Sequence, residues 1–301
     1  MVLLTRRTLL KTAGIGIVAA AAGIPLAGCA ADDAALRVGT KIDVPNFGFQ
    51  NPQTGTVEGL EVDIARELAR RIKGSPDAAA LVGVNVTTRG AMIDNGTLDA
   101  VLATFSVTDE RKRSYAFSRP YYIDHLGILV KQGKGLEAFE DLDGKTIGVA
   151  LSATSKRTLE DAAREAGIGL HFAEYSTYPE IKIALVADRI DAFSVDRSIL
   201  GGYVDDATEL MDVAFAPQRY AVASSLDDPK LAAAIDAAIA AMQSDGVLAA
   251  LQEKWGLASE TADETAAEAE AQVASAARTG AAAPLASEAP AVQAPGGGGD
   301  A

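Results

Sequence analysis

Met92-Ile93-Asp94-Asn95-Gly96-Thr97-Leu98-Asp99-Ala100 and Leu185-Val186-Ala187-Asp188-Arg189-Ile190-Asp191-Ala192 are two versions of one design: a helix end, a tight polar turn, then Asp-Ala opening an apolar strand. In each half an earlier strand, Arg37-Val38-Gly39 or Ile147-Gly148-Val149, runs into a loop and then a helix. Any αβ unit shares part of this pattern. Two copies in the same order argue for two similar lobes, each offering strand ends and helix N-termini to a shared crevice, where open α/β sheets bind ligands.

Outward from these repeats, short β-branched runs alternate with helical patterns between Leu36 and Gly256, which is an α/β signature. Residues 36–39, 82–87, 98–103, 146–149 and 190–195 read as strands, and 61–72, 155–166, 178–187, 229–243 and 246–255 as helices. Extended apolar segments at 127–131 and 219–223 mark crossings between lobes, and the helices after 229 return to the first. Lobe 1 is therefore expected at 36–126 plus 217–257, with lobe 2, 127–216, inserted between.

The ends of the chain have a different composition. Arg6, Arg7 and Lys11, a soft apolar run, and Leu26-Ala27-Gly28-Cys29 form an export signal over residues 1–28, twin-arginine-like and closed by a lipoprotein box. Lipidation is expected on Cys29, with 29–35 as a linker, which places the protein on the outer face of the cytoplasmic membrane. Residues 258–301 are Ala, Glu, Thr, Pro and Gly with almost no large apolar side chain, too little to offset ordering entropy, and read as a disordered tail.

Charge and composition exclude several functions. The leader carries three positive charges and residues 258–301 seven acids against Arg278, so residues 29–257 hold −11 of the formal −14. A body that acidic is a poor nucleic-acid binder, and an anionic ligand needs a local cluster of cations within it. The single Cys provides no disulfide framework, and two His leave little for a zinc site or a Ser-His-Asp mechanism. No cofactor or metal is expected, and the protein reads as a monomer.

Gly59-Leu60-Glu61-Val62-Asp63-Ile64-Ala65, Thr104-Phe105-Ser106-Val107-Thr108-Asp109-Glu110-Arg111, Phe117-Ser118-Arg119-Pro120-Tyr121-Tyr122 and Val195-Asp196 hold their order and spacing across residues 36–256. In these segments the chain resembles the family 3 extracellular solute-binding proteins, the amino-acid receptors of ABC importers. The resemblance implies the two-lobed type II periplasmic-binding-protein fold closing on a free amino acid, with an ABC permease as partner.

The physical problem for such a receptor is to desolvate a zwitterion, which is tolerable only if each charge gains a counter-charge and hydrogen bonds. The resemblance assigns the α-carboxylate to Arg111, whose planar guanidinium holds two oxygens in parallel. Backbone N–H groups near Ser106 and at the helix start by Thr154 supply further donors. Ala153 departs from the commoner Gly-Ser/Thr-Thr-Ser pattern and removes one hydroxyl. The α-ammonium is assigned to Asp196 and the Thr104 hydroxyl; capping the helix that starts at Arg197 is a second role open to Asp196.

For the distal group, Lys41 leaves the tip of the first strand and Arg89 precedes a helix. Both resemble the basic positions of glutamate- and aspartate-type members, and Tyr178 adds a hydroxyl or packs in the core. Phe47 or Phe49, with Phe105, would wall the aliphatic part, while Tyr121 and Tyr122 pack at the junction. The expected function is capture of an acidic amino acid, glutamate before aspartate, without catalysis. The alternative is an enzyme of cyclohexadienyl or arogenate dehydratase type on the same scaffold.

Overall fold

Asp99 and Asp191, the acids of the two Asp-Ala steps, form the same clasp in two sheets. Asp99 accepts the Arg37 N–H on its carboxylate at 2.8 Å and returns its own N–H to the Arg37 carbonyl at 2.9 Å. Asp191 does both to Thr146, each at 2.8 Å. The residue before each acid covers a glycine: a Cβ on Gly39 would lie 2.6 Å from Leu98, and one on Gly148 2.4 Å from Ile190. The repeat in the sequence is thus a repeated pinning of one central strand to the start of its neighbour.

The computed structural model describes residues 35–257; the expected export signal, lipidation at Cys29 and tail concern residues outside that range. From the N-terminal side, β1 (Leu36–Lys41) leads into a small antiparallel sheet of β2 (Asp43–Val44), β3 (Gly48–Gln50) and β4 (Val57–Glu58). Then come α1 (Leu60–Lys73), β5 (Ala79–Val84), α2 (Arg89–Asp94), β6 (Ala100–Leu102), β7 (Tyr115–Phe117) and the long β8 (Tyr122–Lys131). The second half runs β9 (Thr146–Ala150), α3 (Ser155–Ala166), β10 (His171–Tyr175), α4 (Tyr178–Val186), β11 (Ala192–Asp196), α5 (Arg197–Gly201) and β12 (Thr208–Leu210). It returns through β13 (Pro217–Tyr220) and β14 (Ala223–Ser225) to α6 (Pro229–Ser244) and α7 (Val247–Lys254), which pack on α1.

Two sheets organise the two lobes, in the orders β5-β1-β6-β14-β7 and β10-β9-β11-β8-β12. β1 pairs parallel with β5 and β6, and β9 with β10 and β11, and these inner strands are buried, so β6 reads Ala-Val-Leu and β9 Ile-Gly-Val-Ala without alternation. Residues 122–125 pair antiparallel with 217–220 as a two-stranded ribbon joining the lobes. The crossing therefore lies ahead of Gly127–Lys131, which pair with β11 inside the second sheet. One ten-residue strand serves as both ribbon and sheet, with the polar pair Asp124-His125 at the change from one to the other.

The lobes are closed on each other. Tyr203 in the second donates its hydroxyl to the Asp43 carbonyl in the first, and Gly202 leaves no room for a Cβ beside Pro45. One apolar cluster runs through both, including Leu36, Phe47 and Tyr121 from one side and Tyr178, Phe193 and Leu200 from the other.

Candidate functional site

Every residue of β1 from Val38 to Lys41 is buried, so the strand delivers a lysine where a core residue would normally sit. Lys41 is 0% exposed, its Nζ 2.9 Å from Asp43 Oδ1 and 4.5 Å from the centre of the Tyr178 ring. Burial pulls its pKa below the usual lysine value, against the pull of Asp43 in the other direction. Arg89, the first residue of α2, is 3% exposed and donates to the carbonyls of Ala103 and Thr104. Its guanidinium lies 4.2 Å from the centre of the Phe105 ring. Arg111 lies 4.6 Å from the same ring, so Phe105 serves two cations.

Thr104 is fixed at every backbone polar group. Its N–H donates to Glu61 Oε1 at 2.5 Å, its carbonyl accepts from Arg89, and its φ of 44° is in the left-handed region, costly for a β-branched residue. Its hydroxyl is buried without a hydrogen-bond partner. Glu61, from the first turn of α1, is wholly buried and also accepts the Tyr121 hydroxyl. Burial pushes its pKa up to about 7.

Arg111 leaves a short 3-10 turn and reaches both lobes, donating to the Ser106 carbonyl at 2.7 Å and the Ser152 carbonyl at 2.8 Å. Burial, then the charge of Arg89, brings its pKa down to about 9, so it remains a cation at neutral pH. Ser152 has φ 59°, a second left-handed non-glycine position at the cleft. Around Ser106 the chain bridges to Tyr220, and the Val107 N–H is taken by the Arg219 carbonyl. At the start of α3 the Thr154 hydroxyl donates to Gln218 of the ribbon at 2.8 Å and makes no cap bond.

The two roles open to Asp196 separate in the structure. It occupies the N-cap position of α5 but makes no capping bond; Asp124 from the ribbon accepts the Ser198 N–H at 3.1 Å and the Ser198 hydroxyl at 2.5 Å instead. Asp196, 5% exposed, accepts the Tyr220 hydroxyl. Burial, then Asp124, pushes its pKa up to about 7, and a cation placed against it would bring it down.

A cavity of about 800 Å3 opens between the lobes, lined by Arg89, Phe105, Arg111 and Thr154 with Arg157 and Gln218. Lys41, Thr104, Ser106, Tyr178 and Asp196 are buried and absent from that lining. Phe47, expected as an aromatic wall, is fully buried edge-on to Tyr122 and Tyr220, where it acts as core under the ribbon. Tyr178 is likewise buried, packed against Phe193 and Tyr203 as well as under Lys41. Glu61, Asp43, Asp124 and Tyr220 lie against the assigned residues or the helix start beside them, and the sequence reading assigned them no role. Among the described residues no group of three or more His, Cys, Asp or Glu is placed to hold a metal.

Residues 36–258 match the bacterial extracellular solute-binding proteins, family 3. The glutamine-binding protein GlnH of Bacillus subtilis (strain 168) is 32% identical over 227 residues, 74% of this chain and 82% of its own length. The glutamate-binding protein GluB of Corynebacterium glutamicum is 30% identical over 274 residues, 80% and 88% respectively. An ancestral arginine-binding protein bound to arginine superposes with a TM-score of 0.67 at 28% identity, covering 74% of this chain and 98% of that one. The internal repeat, the ribbon between two sheets and these similarities agree: the chain belongs to the bacterial extracellular solute-binding proteins of family 3.

Proposed function

We propose that this protein captures an acidic amino acid, glutamate first and aspartate next, and presents it to an ABC permease. In this reading it acts as a monomer held at the outer face of the membrane by lipid on Cys29. The observation that carries the reading is a pair of buried cations, Lys41 and Arg89, in a body whose net charge is strongly negative. Burying cations is costly, and they persist where an anion compensates them. Relatives named for glutamine and for glutamate bracket the choice, and the cations favour glutamate.

The chemistry follows from the groups present. Arg111 turns its two donors from the Ser106 and Ser152 carbonyls to the α-carboxylate. Asp196 and the unpartnered Thr104 hydroxyl accept the α-ammonium. Lys41 and Arg89 face the distal carboxylate. Contacts from both lobes favour the closed form over the open one by their differential affinity, which is the source of closure. Carboxylates around the cations are held as fixed partners, Asp43 by Lys41, Asp196 by Tyr220 and Glu61 by Thr104 and Tyr121, which favours a receptor over a dehydratase with a mobile general acid.

A thermal-shift screen of the purified full chain against the common amino acids tests this. Glutamate at a hundred times its Kd should add about 2.7 kcal/mol, and each kcal/mol raises Tm by roughly 2–4 °C in a domain of this size. A larger rise with arginine or cystine, or aromatic product formed from prephenate or arogenate, would overturn the reading.

A further inference from the structure

We propose that Glu61 sets the charge preference of the cleft, carrying a proton when a carboxylate lies beside Lys41 and Arg89 and losing it when a neutral amide does. The inference rests on the acidic-amino-acid reading above and adds the device that selects for it.

The argument is one of charge in a sealed cluster. Glu61 is 0% exposed; Oε1 receives the Thr104 N–H and the Tyr121 hydroxyl, while Oε2 is buried without a hydrogen-bond partner. Lys41 from the end of β1 and Arg89 from the start of α2 are the cations within electrostatic reach of it, and Asp43 of β2 pairs with Lys41. Asp63, two residues on and so on the other side of α1, is turned to Lys254 and Trp255. With all four groups ionised, Lys41 and Arg89 are balanced by Asp43 and Glu61, and the cluster suits an amide. Protonating Glu61 leaves one net positive charge, which suits a carboxylate.

Both states are accessible near neutrality, because burial has already raised the Glu61 carboxyl to about 7. A ligand carboxylate raises it further, so glutamate binding above that pH takes up a proton and weakens as pH rises. Glutamine binding takes up no proton above that pH; below it, where Glu61 starts out protonated, it releases one. Asp196 and Asp124 also have raised pKa values, but Asp196 is assigned to the α-ammonium common to both ligands and Asp124 is held on Ser198, so their effect cancels in the glutamate-to-glutamine ratio.

Calorimetric titration of the full chain with L-glutamate and L-glutamine, in two buffers of different ionisation enthalpy from about pH 5.5 to about pH 8.5, tests this. The preference for glutamate should fall by up to about tenfold per pH unit above neutrality, with up to about one proton taken up per glutamate and none per glutamine. Glu61→Gln should favour glutamate throughout with a flat ratio; if that variant does not fold, the proton count on the unaltered chain decides. A pH-independent ratio with both ligands binding would overturn the role of Glu61 and leave the acidic reading standing. A full slope retained in Glu61→Gln would transfer the effect to Lys41, with the same consequence. Absence of glutamate binding at every pH would overturn both.

Discussion

Arg111→Ala is expected to weaken binding of every amino-acid ligand by about 2–5 kcal/mol, the cost of removing one member of a buried charge pair, which is roughly thirtyfold to several thousandfold in Kd. The effect should be uniform across ligands because the α-carboxylate is common to them. Stability should change much less: of the two carbonyls that Arg111 bonds, that of Ser152 lines the cleft, and shortening the side chain opens that of buried Ser106 to the same water. Arg111→Lys keeps the charge but loses the fork, and should recover only part of the affinity. Calorimetry separates the outcomes, and an unchanged Kd in Arg111→Ala would remove this residue from the site. Asp196→Ala belongs to the same class, since it removes the carboxylate assigned to the ammonium and leaves the Tyr220 hydroxyl to donate to Asp124 at 3.4 Å.

Lys41→Met is expected to damage folding before specificity can be read. Asp43 is 13% exposed on its side chain, and removing its ion-pair partner leaves a largely buried carboxylate uncompensated, a loss of about 3–5 kcal/mol, or on the order of ten degrees in Tm. Adding Asp43→Asn should restore most of the stability, because the pair is then replaced by two neutral groups. That double variant keeps the net charge of the cluster but removes Lys41 from the distal group, so its preference for glutamate over glutamine should shrink. Thermal unfolding followed by titration of each variant checks both statements; an undiminished preference in the double variant would mean Lys41 does not read the distal group. Arg89 is a poorer single target, because its donors also hold the carbonyls of Ala103 and Thr104 around a left-handed backbone.

The elements that were legible in the sequence are those with a period and a stop. α3 ends at Ala166 because Gly167 takes φ 71°, and α4 begins at Tyr178 because Thr177 and Glu180 form a reciprocal cap. β2, β3 and β4, of two or three residues each, have no period to detect, and the ten residues of β8 hid the change from ribbon to sheet. In the site, the cations were legible by type, since Lys41, Arg89 and Arg111 stand out in an acidic chain. Their carboxylate partners were not. Glu61 reads as an ordinary acid at a helix start, although its position three before Ile64 and four before Ala65 places it on the buried face. Asp124 caps a helix more than seventy residues away in sequence, a pairing that only the fold brings together. It is also what separates the two roles of Asp196, because a cap supplied from the ribbon leaves that carboxylate with the Tyr220 hydroxyl as its partner.

The central claim is that Arg111 and Asp196 hold the two ends of a zwitterion while Lys41 and Arg89 hold its distal carboxylate. A crystal structure of the protein grown with L-glutamate tests it most directly. The account predicts the α-carboxylate on the Arg111 guanidinium, the ammonium on Asp196 and Thr104, and the side-chain carboxylate within about 3 Å of Lys41 Nζ or an Arg89 nitrogen. A ligand bound the other way round, or cation tips turned out to bulk solvent, would contradict it.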